Sequence, residues 1–427
     1  MISMTFTKTK LKSGMRLITV PMKDTKTVTV LVAAQAGSKY ESKDINGISH
    51  FLEHMFFKGT ARRPSTLAIA EELDSIGGEY NAFTGKEWTG YYAKADSRHF
   101  DLILDVISDI FLHSKLDSAE IEREKLVILE EMNMYQDTPI KYIDDLLEEL
   151  LYGNQPQGWK VIGEAETIKA ITQQRLRQYL KERYTAENTV VIVAGDIDKV
   201  QSSKFKVQSY LADISQKKVE KKSQLVKEVQ TKPQVKVHYK KTDQTHLAMA
   251  LRAYPADHKS LPALKLLSII LGGNMSSRLF INIRERQGLC YYINSTVEAY
   301  KDCGYLLVKA GVDNKRTLKA VKLILKELRQ IQDQGITQSE FKRAKDFIRG
   351  KLALSLETSD ELAFWAGGQE MILGIVKTPE QKLLEIERVN INQIKKIAQE
   401  VIIAQGLNLA VIGAYRQKDK FKQILEL

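Results

Sequence analysis

Cysteine is nearly absent from this chain. Cys290 and Cys303 are the only two in 427 residues, too few for a disulfide framework. Their spacing, with no histidine close by, matches no common zinc pattern. Both are expected to be reduced thiols, which points to a cytoplasmic location. Proline is also scarce, at 8 residues, and no long polar tract interrupts the chain, so large disordered regions are not expected. Long apolar runs are missing. The longest, such as Thr189–Ala194 and Leu266–Leu271, fall far short of the roughly 20 residues a spanning helix needs, and no membrane role is expected. Met1–Thr7 shows no basic segment followed by an apolar one, so no secretory leader is expected. Charge of one sign is not concentrated either. The net charge is +11, but lysines alternate with glutamates along amphipathic segments. The densest basic run, Gln216–Lys222, reads as a solvated linker, and no nucleic-acid partner is expected.

What is present is ordinary globular composition, 43% hydrophobic and 27% charged, in a chain long enough for two cores. The polar, lysine-rich stretch Ser215–Pro233 near the midpoint marks a boundary. It gives an N-terminal domain at 1–215, a linker at 216–233 and a C-terminal domain at 234–427. The two sides share an order of elements. In the first, strand patterns at Arg16–Val20 and Thr27–Ala34 precede helices beginning near Asn46 and Ser65. Strands at Glu79–Thr84 and Thr89–Ala95, long helices over about 98–114 and 117–136, and a strand at Thr189–Ala194 follow. The second repeats this with strands at Val235–Tyr239, Thr245–Arg252, Tyr291–Val297, Gly304–Val312 and Leu407–Ile412. Its helices fall near 260–272, 277–286, 314–334 and 337–357. Leu116–Met132 aligns with Ile336–Leu352 at a constant offset of 220, matching Glu120 with Glu340, Arg123 with Arg343 and Lys125 with Lys345. The expected fold class is α+β, two similar domains, each a mainly antiparallel sheet packed with helices.

The strongest local signal is His50-Phe51-Leu52-Glu53-His54. Asp44 and Asn46 before it are good N-cap types, and Gly59 ends it. On a helix, His50 and His54 project from one face with Cβ atoms about 5–6 Å apart. Two imidazoles so placed can reach one zinc, and Glu53 can reach a water on that metal without ligating it. Seven histidines would produce such a pair with an acid just before the second about 0.01 times by chance. A catalytic zinc needs a third protein ligand. The acid-rich helix that follows offers Glu122, Glu124, Glu130 and Glu131, with Glu124 and Glu131 two turns apart on one face. In the second half the same offset brings Ala344 and Lys351 to those places, and the apolar run Leu264–Leu271 stands where the histidine pair would be.

Together these residues resemble the pitrilysin (M16, inverzincin) family, which includes insulin-degrading enzyme and the mitochondrial processing peptidase. Its inverted motif His-x-x-Glu-His is matched by His50, Glu53 and His54. The resemblance implies Zn2+, one per chain, with Glu131 as third ligand. Glu131 lies 77 residues beyond His54 and seven beyond Glu124, the family's spacing. It implies Glu124 as supporting carboxylate, with Glu130 as the competing ligand. Gly77–Thr84 looks like the family's edge strand, which holds substrate backbone by strand addition. That assigns substrate binding to Asn81, Ala82, Phe83 and Thr84. Arg284–Tyr291 is similar to an arginine–tyrosine element that the family brings to the active site. Arg284 and Tyr291 are the matching pair, with Tyr292 as the neighbour that confuses the match.

The resemblance implies a zinc-dependent endopeptidase acting on unfolded peptides or presequence-like oligopeptides inside a closed chamber, with Glu53 as general base. The length resembles that of half-length bacterial and mitochondrial members, which assemble in pairs. A homodimer is expected, a heterodimer with a related subunit being the other possibility. The rival to an active enzyme is a non-catalytic or partner-dependent subunit.

Overall fold

The computed structural model describes residues 4–197, 203–219 and 224–426. Eleven strands among these residues form two sheets. In chain order they are β1 (Thr7–Lys10), β2 (Arg16–Pro21), β3 (Thr27–Ala34), β4 (Glu79–Thr84), β5 (Thr89–Asp96) and β6 (Thr189–Gly195). Then come β7 (Gln234–Tyr239), β8 (Gln244–Arg252), β9 (Cys290–Ala299), β10 (Gly304–Asp313) and β11 (Leu407–Gly413). The first sheet runs β1-β2-β6-β3-β5-β4 and the second β7-β11-β8-β10-β9. Apart from the added β1 these are one topology. Each sheet has a single parallel pair, β2 with β6 and β7 with β11, and antiparallel pairing elsewhere. The fold is α+β with a duplicated plan, as the pattern of strands and helices predicts.

The central strands β6 and β11 are buried at every residue, and β3 at all but its first. Such strands read as continuous β-branched and small apolar runs because both sheet faces are covered. In the first unit α3 (Phe100–His113), preceded in the chain by α1 (Ile48–Phe56) and α2 (Thr66–Asp74), packs on β3 and β5.

The compact units are not the contiguous halves 1–215 and 234–427. One comprises Met1–Asn133, Trp159–Gln224 and Leu352–Glu380; the other comprises Met134–Gly158, Leu225–Lys351 and Gln381–Leu427. After α4 (Ser118–Gln136), α5 (Pro139–Tyr152) belongs to the second unit. Its Ile143, Leu146, Leu147 and Leu151 pack on Ala248 and Ala250 of β8 and Ala410 and Ile412 of β11. Conversely, the helix Ser359–Leu373 belongs to the first unit and packs Leu362, Ala363 and Ala366 against Leu31, Ala33 and Ile192. The exchange obeys the internal repeat: α4 and the helix Gln338–Leu354, and then α5 and Ser359–Leu373, begin 220 residues apart. Helical periodicity tells which face of a helix is apolar, not which sheet that face covers. Residues 220–223 of the expected linker lie outside the described residues; the rest of 216–233 forms neither helix nor strand.

Candidate metal centre

Helix α1 buries Ile48, Phe51, Leu52, Met55 and Phe56 on one face, and Phe56 stacks on Tyr91 of β5 at 4.7 Å between ring centres. That apolar anchor turns the opposite face, with His50, Glu53 and His54, outward. The sequence suggests Asp44 or Asn46 as N-cap. Instead the N-cap is Gly47, in a left-handed conformation with φ +97°, and no side chain at that position caps the helix. Past the C-terminus, Gly59 adopts φ +119°, where a Cβ would lie 2.7 Å from the Pro64 carbonyl oxygen.

The third acid comes from α4. Glu131 Oε2 lies 3.5 Å from His50 Nε2 and 3.5 Å from His54 Nε2. Those separations exceed an ordinary hydrogen bond. They approach the roughly 3.3–3.4 Å between two ligands of one tetrahedral zinc with bonds of 2.0–2.1 Å. Among the described residues, His50, His54 and Glu131 form the one group of three or more His, Cys, Asp or Glu whose ligand atoms lie within 4.8 Å of one another. Glu130, the competing acid, is exposed and outside this group.

Glu124, two turns earlier on the same face of α4, is buried and accepts from His54 Nδ1 at 3.0 Å. That contact leaves His54 Nε2 to face Glu131, the arrangement by which a carboxylate fixes the tautomer of a ligating histidine. Lys58 Nζ lies 2.5 Å from the other Glu124 oxygen. Burial raises the Glu124 pKa, but His54 and Lys58 outweigh it and hold the carboxyl below its usual range. Burial lowers the His54 pKa, yet Glu124 and Glu131 overcome it and raise the imidazole to about 9. His50 moves oppositely: burial, then the neighbouring His54 charge, lower it to about 4. Two histidines one turn apart thus have split proton affinities, burial prevailing at His50 and the two acids prevailing at His54.

Glu53 is raised by burial, a shift opposed by its hydrogen bond to Thr84 at the end of β4. Its Oε2 and the Nδ1 of His50 are buried without a hydrogen-bond partner among the described residues. Buried polar atoms are seldom left so. Their presence beside the triad fits a site built around a group that completes it. β4, which carries Asn81, Ala82, Phe83 and Thr84, is the outermost strand of its sheet and packs beside α1.

Arg284 and Tyr291 belong to the second unit. Arg284 lies in a π-helical stretch, Phe280–Glu285, with its guanidinium 4.6 Å from the Phe280 ring centre and 5.9 Å from that of Tyr291. π-helical turns recur at functional positions. Tyr291 is 76% exposed. Tyr292 differs: its hydroxyl meets His246 Nδ1 at 3.0 Å, which commits it to the sheet. The second unit offers no counterpart of the triad among the described residues. Leu264, Leu266, Leu267 and Leu271 are core, and Ala344 is buried. Its outermost strand β9 is closely approached by Gly272, where a Cβ would lie 2.7 Å from the Ser295 backbone nitrogen.

Residues that the sequence reading missed are Lys58, whose partner is set by tertiary packing, and Glu41, which hydrogen-bonds the first turn of α1. The only sequence signal for either is an acid shortly before a helix start.

Residues 16–165 match the family described as "Insulinase (Peptidase family M16)", and residues 170–347 match "Peptidase M16 inactive domain". An uncharacterized zinc protease of Bacillus subtilis, YmxG, is 34% identical over 94% of this chain and 97% of its own length. An uncharacterized zinc protease of Mycobacterium leprae is 32% identical over 98% of this chain and 94% of its own. In fold, the chain is similar to a protease from Helicobacter pylori, with TM-score 0.90 and 22% identity over 96% of this chain and 99% of that one. It is also similar to a peptidase M16 inactive domain from Pseudomonas fluorescens, with TM-score 0.88 and 18% identity over 96% and 98%.

Proposed function

The chain belongs to peptidase family M16, and on that footing we propose that it is a zinc-dependent endopeptidase cleaving unfolded peptides or presequence-like oligopeptides. The observation that carries the reading is the pair of 3.5 Å separations joining Glu131 Oε2 to His50 Nε2 and His54 Nε2. His50, His54 and Glu131 would hold the metal, and Glu124 would orient His54. Zinc, when bound there, lowers the pKa of a coordinated water to about 7 and polarises the scissile carbonyl. Glu53 takes the proton of the attacking water and returns it to the leaving amine. Its burial suits that task, because raising the pKa makes the carboxylate a stronger proton acceptor than an exposed one. Asn81, Ala82, Phe83 and Thr84 present strand backbone on which an extended peptide can add as a further strand. This restricts substrates to segments able to become extended. Arg284 and Tyr291 are assigned, by likeness to the family's arginine–tyrosine element, to the oxyanion that develops on the carbonyl.

A second reading is a non-catalytic or partner-dependent subunit, favoured by the match of residues 170–347 to an inactive domain. Retention of His50, Glu53 and His54 argues against it. Purified protein with zinc and a quenched-fluorescent peptide library decides between them. Glu53→Gln should keep zinc and lose cleavage. Absence of any cleavage by the wild-type protein in its native assembly, with zinc bound, would sink the peptidase reading in favour of the second. The assembly is proposed to be a homodimer, read from sedimentation of the purified chain.

A further inference from the structure

We propose that Glu41 is a positioning residue for the metal centre: its buried carboxylate caps the start of α1 and holds that helix where His50 and His54 share one ion. The inference rests on the reading of His50, His54 and Glu131 as ligands.

The first turn of a helix leaves backbone N–H groups without intrahelical partners, and a side chain at the N-cap ordinarily takes one. Here that solution is closed. Gly47 is the N-cap, its φ is +97°, and a Cβ on it would lie 2.7 Å from the Ile162 carbonyl oxygen and 2.8 Å from Ile168 Cδ1. No serine, threonine or aspartate fits at the position that would cap this helix. Glu41 supplies the acceptor from outside. Its Oε2 accepts from the Gly47 N–H at 2.8 Å and from Asn46 Nδ2 at 2.9 Å, and its Oε1 accepts from the Ser49 N–H at 2.9 Å. Both oxygens are therefore spent on the chain entering α1. The residue is 6% exposed, so water does not replace it.

Placement gives these bonds leverage. Ser49 immediately precedes His50, and its hydroxyl is pinned to Tyr179 at 2.8 Å. His50 stands in the first turn of α1, whereas His54 stands in the second and has Glu124 to orient it. Nothing comparable holds His50, whose Nδ1 has no hydrogen-bond partner among the described residues. The orientation of His50 depends on the backbone that Glu41 fixes. A metal site tolerates errors of about 0.5 Å or 10–20° in its ligands. Loosening the first turn should therefore weaken the ion's hold through His50 while leaving the His54 side of the site in place.

The test measures zinc dissociation constants by competition with a chromophoric chelator, using the full chain as wild type, Glu41→Gln, Glu41→Ala and Glu370→Gln. Glu370 is the control: it is 1% exposed and paired with Lys8 and Arg16, away from α1. Glutamine at 41 keeps the shape but turns an NH2 toward a backbone N–H, so it tests the cap even if the alanine variant fails to fold. The expected result is a zinc affinity 10- to 100-fold weaker for Glu41→Gln, the range for lost outer-sphere support, with Glu370→Gln unchanged. Saturating zinc should return most of the peptide-cleavage rate to Glu41→Gln. Affinity within twofold of wild type, or equal losses in Glu41→Gln and Glu370→Gln, would overturn the positioning role and leave the zinc site standing. A wild-type chain that binds no zinc would instead remove the ligand reading on which the inference rests.

Discussion

Replacing Glu131 with glutamine separates the proposed centre from every reading that uses a different acid. The carboxylate faces both imidazole nitrogens at 3.5 Å, so the variant removes the one anion among the three converging atoms and keeps its volume. Structural zinc sites bind with about 10–16 kcal/mol over four ligands, so one ligand is worth roughly 3 kcal/mol, or on the order of 100-fold in affinity. At zinc equal to about 100 wild-type dissociation constants, ligand linkage stabilises the folded protein by about 2.7 kcal/mol. A variant bound 100-fold more weakly keeps only about 0.4 kcal/mol of that. The difference of about 2.3 kcal/mol corresponds to roughly 5–9 °C of melting temperature for a unit of this size. The assay is thermal unfolding of wild type, Glu131→Gln and Glu130→Gln, each with a chelator and with zinc. Glu130 is exposed, so its variant should retain the wild-type zinc shift. The reasoning fails if Glu130→Gln loses the shift and Glu131→Gln keeps it, or if both keep it.

Other outcomes follow from the charges around the triad. His54 is held near 9 by Glu124 and Glu131 against burial, whereas His50 near 4 is already neutral. Zinc binding at pH 7.5 should therefore release about one proton per ion, read by calorimetry in buffers of different ionisation enthalpy; zero release would contradict it. Lys58→Met removes the cation beside Glu124 and should weaken zinc by about 10-fold in the same chelator competition, with no change expected for Lys43→Met, which lies before the start of α1. In the second unit, Arg278 clamps Glu340 at 2.6 and 2.9 Å, and with Thr337 outweighs burial to bring its pKa to about 2. A depressed carboxylate stabilises above its unfolded pKa of 4.5 and loses that contribution as pH falls towards 2. Glu340→Gln should thus cost about 1–2 kcal/mol at pH 7 after screening, in urea unfolding, and the gap should narrow below pH 4.5 and close as pH reaches about 2.

The strands were legible because their positions obey simple rules. Thr27–Ala34 and Thr189–Gly195 are continuous apolar runs of strand length, and β4 and β5 flank a short turn at Gly85–Trp88. Long amphipathic helices such as Gln338–Leu354 were legible for the same reason. The motif at 50–54 carries its own geometry, since helical spacing alone brings His50 and His54 to one side. Glu131 was not legible in that way. Four acids crowd its helix, and only the family's spacing singled it out; the structure brings it and not Glu130 to the histidines. Glu41, Lys58 and the exchange of α5 for the helix Ser359–Leu373 depend on what packs against what. A one-dimensional pattern records neither the partner of a buried carboxylate nor the sheet beneath a helix.

The duplication sharpens why only one unit carries the centre. Both sheets end in an outermost strand beside a short helix, β4 near α1 and β9 near Leu261–Ser268. In the first unit the helix presents His50, Glu53 and His54 beside that strand, and Glu53 reaches Thr84 at its end. In the second, the helix is filled with leucine and continues into a π-helical turn whose Gly272 presses onto the Ser295 backbone. Ser268 also meets Ser295 hydroxyl to hydroxyl at 3.1 Å, so this helix is packed closely onto the core-facing side of β9. Restoring two histidines to the leucine-rich helix would therefore not create a second centre. Lys351 would still stand where Glu131 stands in the repeat. The second unit commits its helix to the apolar core, whereas α1 keeps His50, Glu53 and His54 on the side that meets Glu131.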